Sequence, residues 1–283
     1  MKSHEKALLE HSKSNNFFQK YSLIWFFLMS YALITIAVLL KSWLGQIFPE
    51  FLYWIISAWS PTISAIIISG LIGGKEEVKL LLRGLTRWRV HWKWYFAAFL
   101  ILLAPLGFAL IYIIAGGVSP GIDPSLTVPL FLYYLLFTLF SGPLSEETGW
   151  RGFALPRLQS KYNALLSSII LGFIWAFWHL PLYLVEERIA IYIFIPLVLV
   201  ISILMTWVYN NSNGSLILTI IMHFSFNFDM IFIVGYLGLM PTMIFYISAS
   251  IAIGIYLIGV IIYFGPEHLS KKAEAQIPRK YEK

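Results

Sequence analysis

Apolar runs long enough to cross a bilayer recur along the whole chain, and nothing else limits the fold so strongly. A helix rising ~1.5 Å per residue needs ~20 mostly apolar residues to cross a hydrocarbon core of ~30 Å. Such runs lie near 21–40, 51–73, 94–116, 128–156, 163–185, 190–208, 215–236 and 241–264. In hydrocarbon every backbone N–H and C=O must be satisfied within the protein, and a helix does this inside one segment. The expected fold is therefore all-α, a polytopic membrane protein with eight transmembrane helices. The 21–40 run is too long for a signal-peptide core and reads as a retained span. Gly142-Pro143 interrupts the fourth run, where the missing N–H of Pro143 and its clash with the carbonyl of Leu139 predict a kink or break.

Lysine and arginine orient the spans. Lys2, Lys6, Lys13 and Lys20 precede the first, and Lys75, Lys79, Arg83, Arg87, Arg89 and Lys93 follow the second. Arg157 and Lys161 follow the fourth, and Lys271, Lys272, Arg279, Lys280 and Lys283 end the chain. The opposite side holds Lys41 and Arg188. Both termini are thus expected in the cytoplasm, with residues 1–20 a cytoplasmic segment, 21–264 the membrane domain and 265–283 a basic cytoplasmic tail. The net charge of +6 is accounted for by this one-sided placement, so it points to a lipid bilayer as partner and not to nucleic acid. With 59% hydrophobic and 12% charged residues, the expected location is the cell membrane, multi-pass. The absence of cysteine excludes disulfides, thiolate nucleophiles and cysteine-ligated metals. Val78–Trp94 mixes apolar and basic residues and reads as an amphipathic segment along the cytoplasmic surface, a topological anchor. No internal repeat of the kind found in many transporters is present.

Ionisable groups at bilayer depth are costly and mark function. Those inside spans are Glu146, Glu147, Arg151, His179, His223 and Asp229, with Asn227 as a buried amide. Glu147 and Arg151 share a helix face and can pair, which leaves Glu146, about a quarter-circle away, without a partner on its own helix. His223 and Asn227 also share a face. Asp229 lies on a different face and reads as structural. Glu186-Glu187 falls in an external loop beside Arg188, and the uncharged "NNSNGS" before the seventh span is a tight turn. Counted from the cytoplasmic ends, Glu146, His223 and His179 lie ~16, ~12 and ~24 Å deep. Helix tilt or the Pro143 break must close that spread if they meet.

A carboxylate and an imidazole held together can activate water as general bases, and a second imidazole and an amide can stabilise a developing oxyanion. That describes peptide-bond hydrolysis without a covalent intermediate. The same Glu146, His179 and His223 could instead hold zinc, with water as fourth ligand. Spacing alone does not separate the two, and no H-E-x-x-H occurs.

"EETGWR" at Glu146–Arg151, "WAFWH" at Trp175–His179 and "HFSFN" at His223–Asn227 resemble the E-E-x-x-x-R, F-x-x-x-H and H-x-x-x-N motifs of the CPBP family, the type II CAAX prenyl endopeptidase and bacteriocin-processing (Abi) group. The order agrees over roughly 128–228, with Trp175 standing where the family pattern has phenylalanine. The resemblance implies an intramembrane endopeptidase with a protease core at about 128–236. It makes Glu146 the water-activating base assisted by His179, places His223 and Asn227 at the oxyanion, and has Glu147 and Arg151 support the site. The family is often labelled as metalloproteases. A metal-free glutamate mechanism is the expectation here, because no separate base remains if Glu146 becomes a zinc ligand. The implied substrate is a short peptide or the membrane end of a small protein. The alternative is a non-enzymatic membrane protein of bacteriocin immunity that binds a peptide or guards its receptor. A proton-coupled transporter is a third class, disfavoured by the missing repeats.

Overall fold

A computed structural model describes the backbone at residues 17–114, 116, 127–186, 190–231 and 243–272, and side chains at those positions other than 103–113, 229–231 and 243–252. The first part of the N-terminal segment, the tail beyond 272, the side chain of Asp229, and Glu187 and Arg188 lie outside the described residues.

Among the described residues all regular secondary structure is helical and no strand occurs. The helices are α1 (Ser22–Leu44), α2 (Glu50–Ala58), α3 (Ser60–Leu82), α4 (Trp92–Ile114), α5 (Val128–Phe140), α6 (Pro143–Glu147), α7 (Leu155–Gln159), α8 (Ala164–Trp178), α9 (Ile191–Asn211), α10 (Leu216–Ile231) and α11 (Met243–Phe264). Each of the eight expected apolar runs contains helix, with turns at Trp59 in the second and at Ser141-Gly142 in the fourth. Among the described residues four stretches are long and apolar enough to cross a membrane: Ser22–Ile47, Val128–Gln159, Ala164–Leu184 and Ile191–Asn211. A fifth arises if α2 and the stretch from Ser60 to Thr86, bent by 56°, form one broken span. The protein is a multi-pass membrane protein. Its outer surface is correspondingly apolar, with Leu28, Leu39, Leu132, Leu136, Phe173 and Ile258 exposed, while Ser30, Ser64, Ser145, Ser168 and Ser202 are buried. That is the inverse of a soluble bundle and suits lipid as solvent.

Local chemistry sets the breaks. Thr127 caps α5 by accepting from Leu130 N, and Asn163 caps α8 by accepting from Leu166 N at 2.8 Å. The fourth run breaks at Ser141-Gly142, as Pro143 predicts, and α6 restarts at Pro143. It then widens into a π-helix over Thr148–Ala154 before α7. Such wide turns are uncommon and concentrate at functional sites. The π-helix leans on α3, where a Cβ on Gly149 would stand 2.6 Å from the Pro61 backbone, so only glycine permits that approach.

α8 packs along α9, α10 along α4, and α1 along α3. Ser202 donates to the Ser168 carbonyl at 2.9 Å across α8 and α9. After α11 the chain turns back against the bundle. Asn210 donates to the His268 carbonyl and Asn211 to the Leu269 carbonyl, each at 2.8 Å, and Ser270 Oγ donates to Asn211 Oδ1 at 2.9 Å. The "NNSNGS" turn is therefore also a docking point for the first residues of the tail.

Candidate active site

The break at Gly142 places α6 across the interior, and the carboxylates follow directly from it. Glu146 and Glu147 are buried, 4% and 0% exposed. Glu147 Oε1 accepts from Arg151 Nη1 at 3.0 Å, so the i,i+4 pair forms although the chain is passing from α-helix into π-helix. The same oxygen receives His223 Nδ1 from α10 at 2.8 Å. A carboxylate oxygen accepts, so in neutral His223 the proton sits on Nδ1 and the lone pair on Nε2. Glu147 therefore bridges the cation of its own segment and an imidazole of another helix. Glu147 Oε2 and Arg151 Nε and Nη2 are buried with no protein partner among the described residues, so this cluster keeps hydrogen-bonding capacity for water.

Glu146 has its own partners. Trp150 Nε1 donates to its Oε2 at 3.3 Å, and Trp175 Nε1 from α8 donates to the same oxygen at 2.6 Å. The expectation that Glu146 lacks a partner on its own helix is thus corrected. It lacks a charged one, but the indole of Trp150 stands four residues on. Two donors on Oε2 leave Oε1 directed elsewhere. A Cβ built on Gly142 would lie 3.0 Å from Asn227 Nδ2, 3.5 Å from Glu146 Oε1 and 3.8 Å from His223 Nε2. Around the empty side of Gly142 the structure thus gathers three of the expected residues from two segments.

His179 joins through Trp175. Its Nδ1 donates to the Trp175 carbonyl at 2.8 Å, which places the neutral ring's lone pair on Nε2. The Trp175 ring lies 6.0 Å from the His179 ring and 5.1 Å from the His223 ring, edge-on to the latter, and the Arg151 guanidinium sits 4.4 Å from its centroid. Phe194 of α9 meets His179 edge-on at 5.0 Å. His179 caps α8 and is followed by the tight turn Leu180–Leu184. Tyr53 of α2 ties this turn down through a hydrogen bond from its hydroxyl to Glu186, so Glu186 is a packing partner and not a freely solvated acid.

Among the described residues no three or more His, Cys, Asp or Glu side chains are gathered as a metal-ligand set. Both histidine Nδ1 atoms and one oxygen of Glu146 are engaged with protein groups.

Sequence reasoning missed Trp150, the indole N–H of Trp175 and Gly142. The first two were open to it, since an indole four residues from a buried carboxylate is an obvious donor. The role of Gly142 depends on how α10 approaches the break, which a sequence pattern does not record.

Residues 128–228 match a family model for "Type II CAAX prenyl endopeptidase Rce1-like". The chain is also 35% identical over 105 residues to "CAAX prenyl protease 2" of Methanococcus maripaludis. That alignment covers 34% of this chain and 39% of the relative, so the similarity extends to well under half of either.

Proposed function

We propose that the chain, whose residues 128–228 match the type II CAAX prenyl endopeptidase family model, belongs to that (CPBP) family and is an intramembrane endopeptidase cutting a membrane-associated peptide or a small membrane protein. The observation that carries this reading is the space beside Gly142, bordered by Glu146 Oε1, His223 Nε2 and Asn227 Nδ2. It offers a carboxylate base and an amide donor to the same point, which is what attack of water on a carbonyl requires.

In the proposed reaction a water between Glu146 and the substrate carbonyl gives its proton to Glu146, with His179 Nε2 assisting. Its oxygen adds to the carbonyl carbon. The Asn227 amide donates to the resulting oxyanion. His223 Nε2 borders the same space and donates to that oxygen when the ring carries both protons, its Nδ1 being held by Glu147. The proton held by Glu146 then passes to the leaving amine as the C–N bond breaks. Arg151 and Glu147 orient His223, and Trp150 and Trp175 hold the carboxylate of Glu146. The scheme uses no metal. Around it we place eight spans in the cell membrane with both termini cytoplasmic.

The test is comparative mass spectrometry of membrane peptides from cells carrying the wild-type protein or its Glu146→Gln form at equal abundance. Products present only with the wild type are expected. Identical peptide sets, together with an unaltered phenotype, would favour a non-enzymatic binder of the immunity type.

A further inference from the structure

α3 consists of two differently directed halves. They meet at Gly73 (φ −150°, ψ 15°) and Gly74 (φ 60°, ψ −149°), and the second of these conformations is open essentially to glycine alone. The first half is apolar and packs along α1. The second half, from Lys75, leads into the Val78–Trp94 segment expected to be amphipathic. In the elbow lies an open groove of about 670 Å³. Its lining has an apolar part, with Gly70, Val78 and Leu82, and a cationic part, with Lys75, Lys79 and Arg83 at four-residue spacing.

The groove has no acidic lining residue. Glu77 is committed elsewhere, accepting from Arg157 Nη2 at 3.1 Å. Among the described residues Lys75, Lys79 and Arg83 have no acidic partner. Three cations in one concavity repel one another unless an anion sits among them. A surface anchor alone would need a basic helix face. It would not need a bend that brings an apolar lining to that face.

We infer that this elbow holds one anionic phospholipid of the cytoplasmic-facing leaflet. Its phosphate lies among Lys75, Lys79 and Arg83, and one acyl chain runs down past Val78 and Gly70. The juxtaposition of a cationic and an apolar lining where a spanning helix meets the headgroup layer matches both halves of such a molecule. A free phosphate would use only the cationic part, and a zwitterionic lipid would bring its own cation to it.

The experiment is native mass spectrometry of the full chain released from detergent, titrated with phosphatidylglycerol or phosphatidylcholine, with thermal unfolding as a second readout. The wild type is expected to retain one phosphatidylglycerol in preference to phosphatidylcholine and to melt higher in its presence. The K75Q/K79Q/R83Q variant should lose that preference, weakening the bound lipid by about a hundredfold if each cation contributes roughly fivefold. The R89Q/K93Q variant removes charge from the same surface outside the groove and should retain it. Gly70→Leu changes no charge, meets open space with its nearest neighbour 4.0 Å from the added Cβ, and should weaken the lipid by filling the apolar part. This second variant decides the matter if the triple variant fails to fold. Equal retention by the wild type, the triple variant and Gly70→Leu would overturn the inference, as would equal loss in the R89Q/K93Q control. Full displacement of the lipid by millimolar glycerophosphate or inorganic phosphate, or by an acidic peptide, would also overturn it, because the apolar part would then be irrelevant.

Discussion

Trp175→Phe removes one N–H and keeps an aromatic ring in place. In the wild type that N–H donates to Glu146 Oε2 at 2.6 Å, the shorter of two indole bonds to that oxygen. The contacts of the ring with His223 and Arg151, at 5.1 and 4.4 Å, do not depend on it. A hydrogen bond to a charged group contributes about 1.5–3 kcal/mol. If it is spent on holding Oε1 toward Gly142, its loss lowers kcat about 10- to 100-fold, since ~1.4 kcal/mol is a factor of ten. KM should stay near its wild-type value, because Trp175 meets the carboxylate and not the peptide in this scheme. Trp150→Phe removes the longer bond, at 3.3 Å, and should cost less than tenfold. The assay is cleavage in proteoliposomes of a peptide identified by the Glu146→Gln comparison, with helix content checked by circular dichroism. A Trp175→Phe protein that is fully folded and keeps kcat within about twofold would refute the idea that this indole positions the base.

Gly142→Ala places a methyl group 3.0 Å from Asn227 Nδ2 and in the space proposed for the reacting carbonyl, so it should abolish cleavage while the thermal midpoint changes little. Arg151→Met strands the buried Glu147 carboxylate and should destabilise the protein by about 3–5 kcal/mol, read as a large drop in thermal midpoint or in expression. Prolonged dialysis against a metal chelator should leave cleavage unchanged; inhibition that only zinc reverses would overturn the metal-free scheme. Asn211→Ala removes a 2.8 Å bond to the Leu269 carbonyl and the acceptor of Ser270, so the tail should become faster to digest with a soluble protease while cleavage activity persists.

How far the sequence revealed this site depends on which interactions are local. The apolar runs report helices because a span's length and polarity are dictated by the lipid, and Gly142-Pro143 reports a break because proline chemistry is local. The Glu147–Arg151 pair is legible for the same reason, being four residues apart. The depth count left Glu146, His179 and His223 at unequal heights because it assumed straight helices rising from common ends. The π-helix between Glu146 and Arg157 violates that assumption. The bridge from Glu147 to His223 spans 76 residues, and no periodicity encodes it.

In the second motif Trp175 stands where the family pattern has phenylalanine, and either side chain supplies an aromatic ring. Judged by hydrogen-bonding capacity the exchange is a change of role, since phenylalanine has no N–H to give. A buried carboxylate in hydrocarbon can be stabilised by a cation or by neutral donors. A cation beside Glu146 would hold it as a salt bridge and make it a poor acceptor of a proton from water. The Arg151 charge is instead taken up mainly by Glu147, through Nη1 at 3.0 Å, while Glu146 is held by two apolar-bodied donors. The adjacent glutamates thus divide the labour that one residue could not combine. In the proposed scheme Glu147 neutralises the cation and orients His223, and Glu146, held by the two indoles, serves as the base.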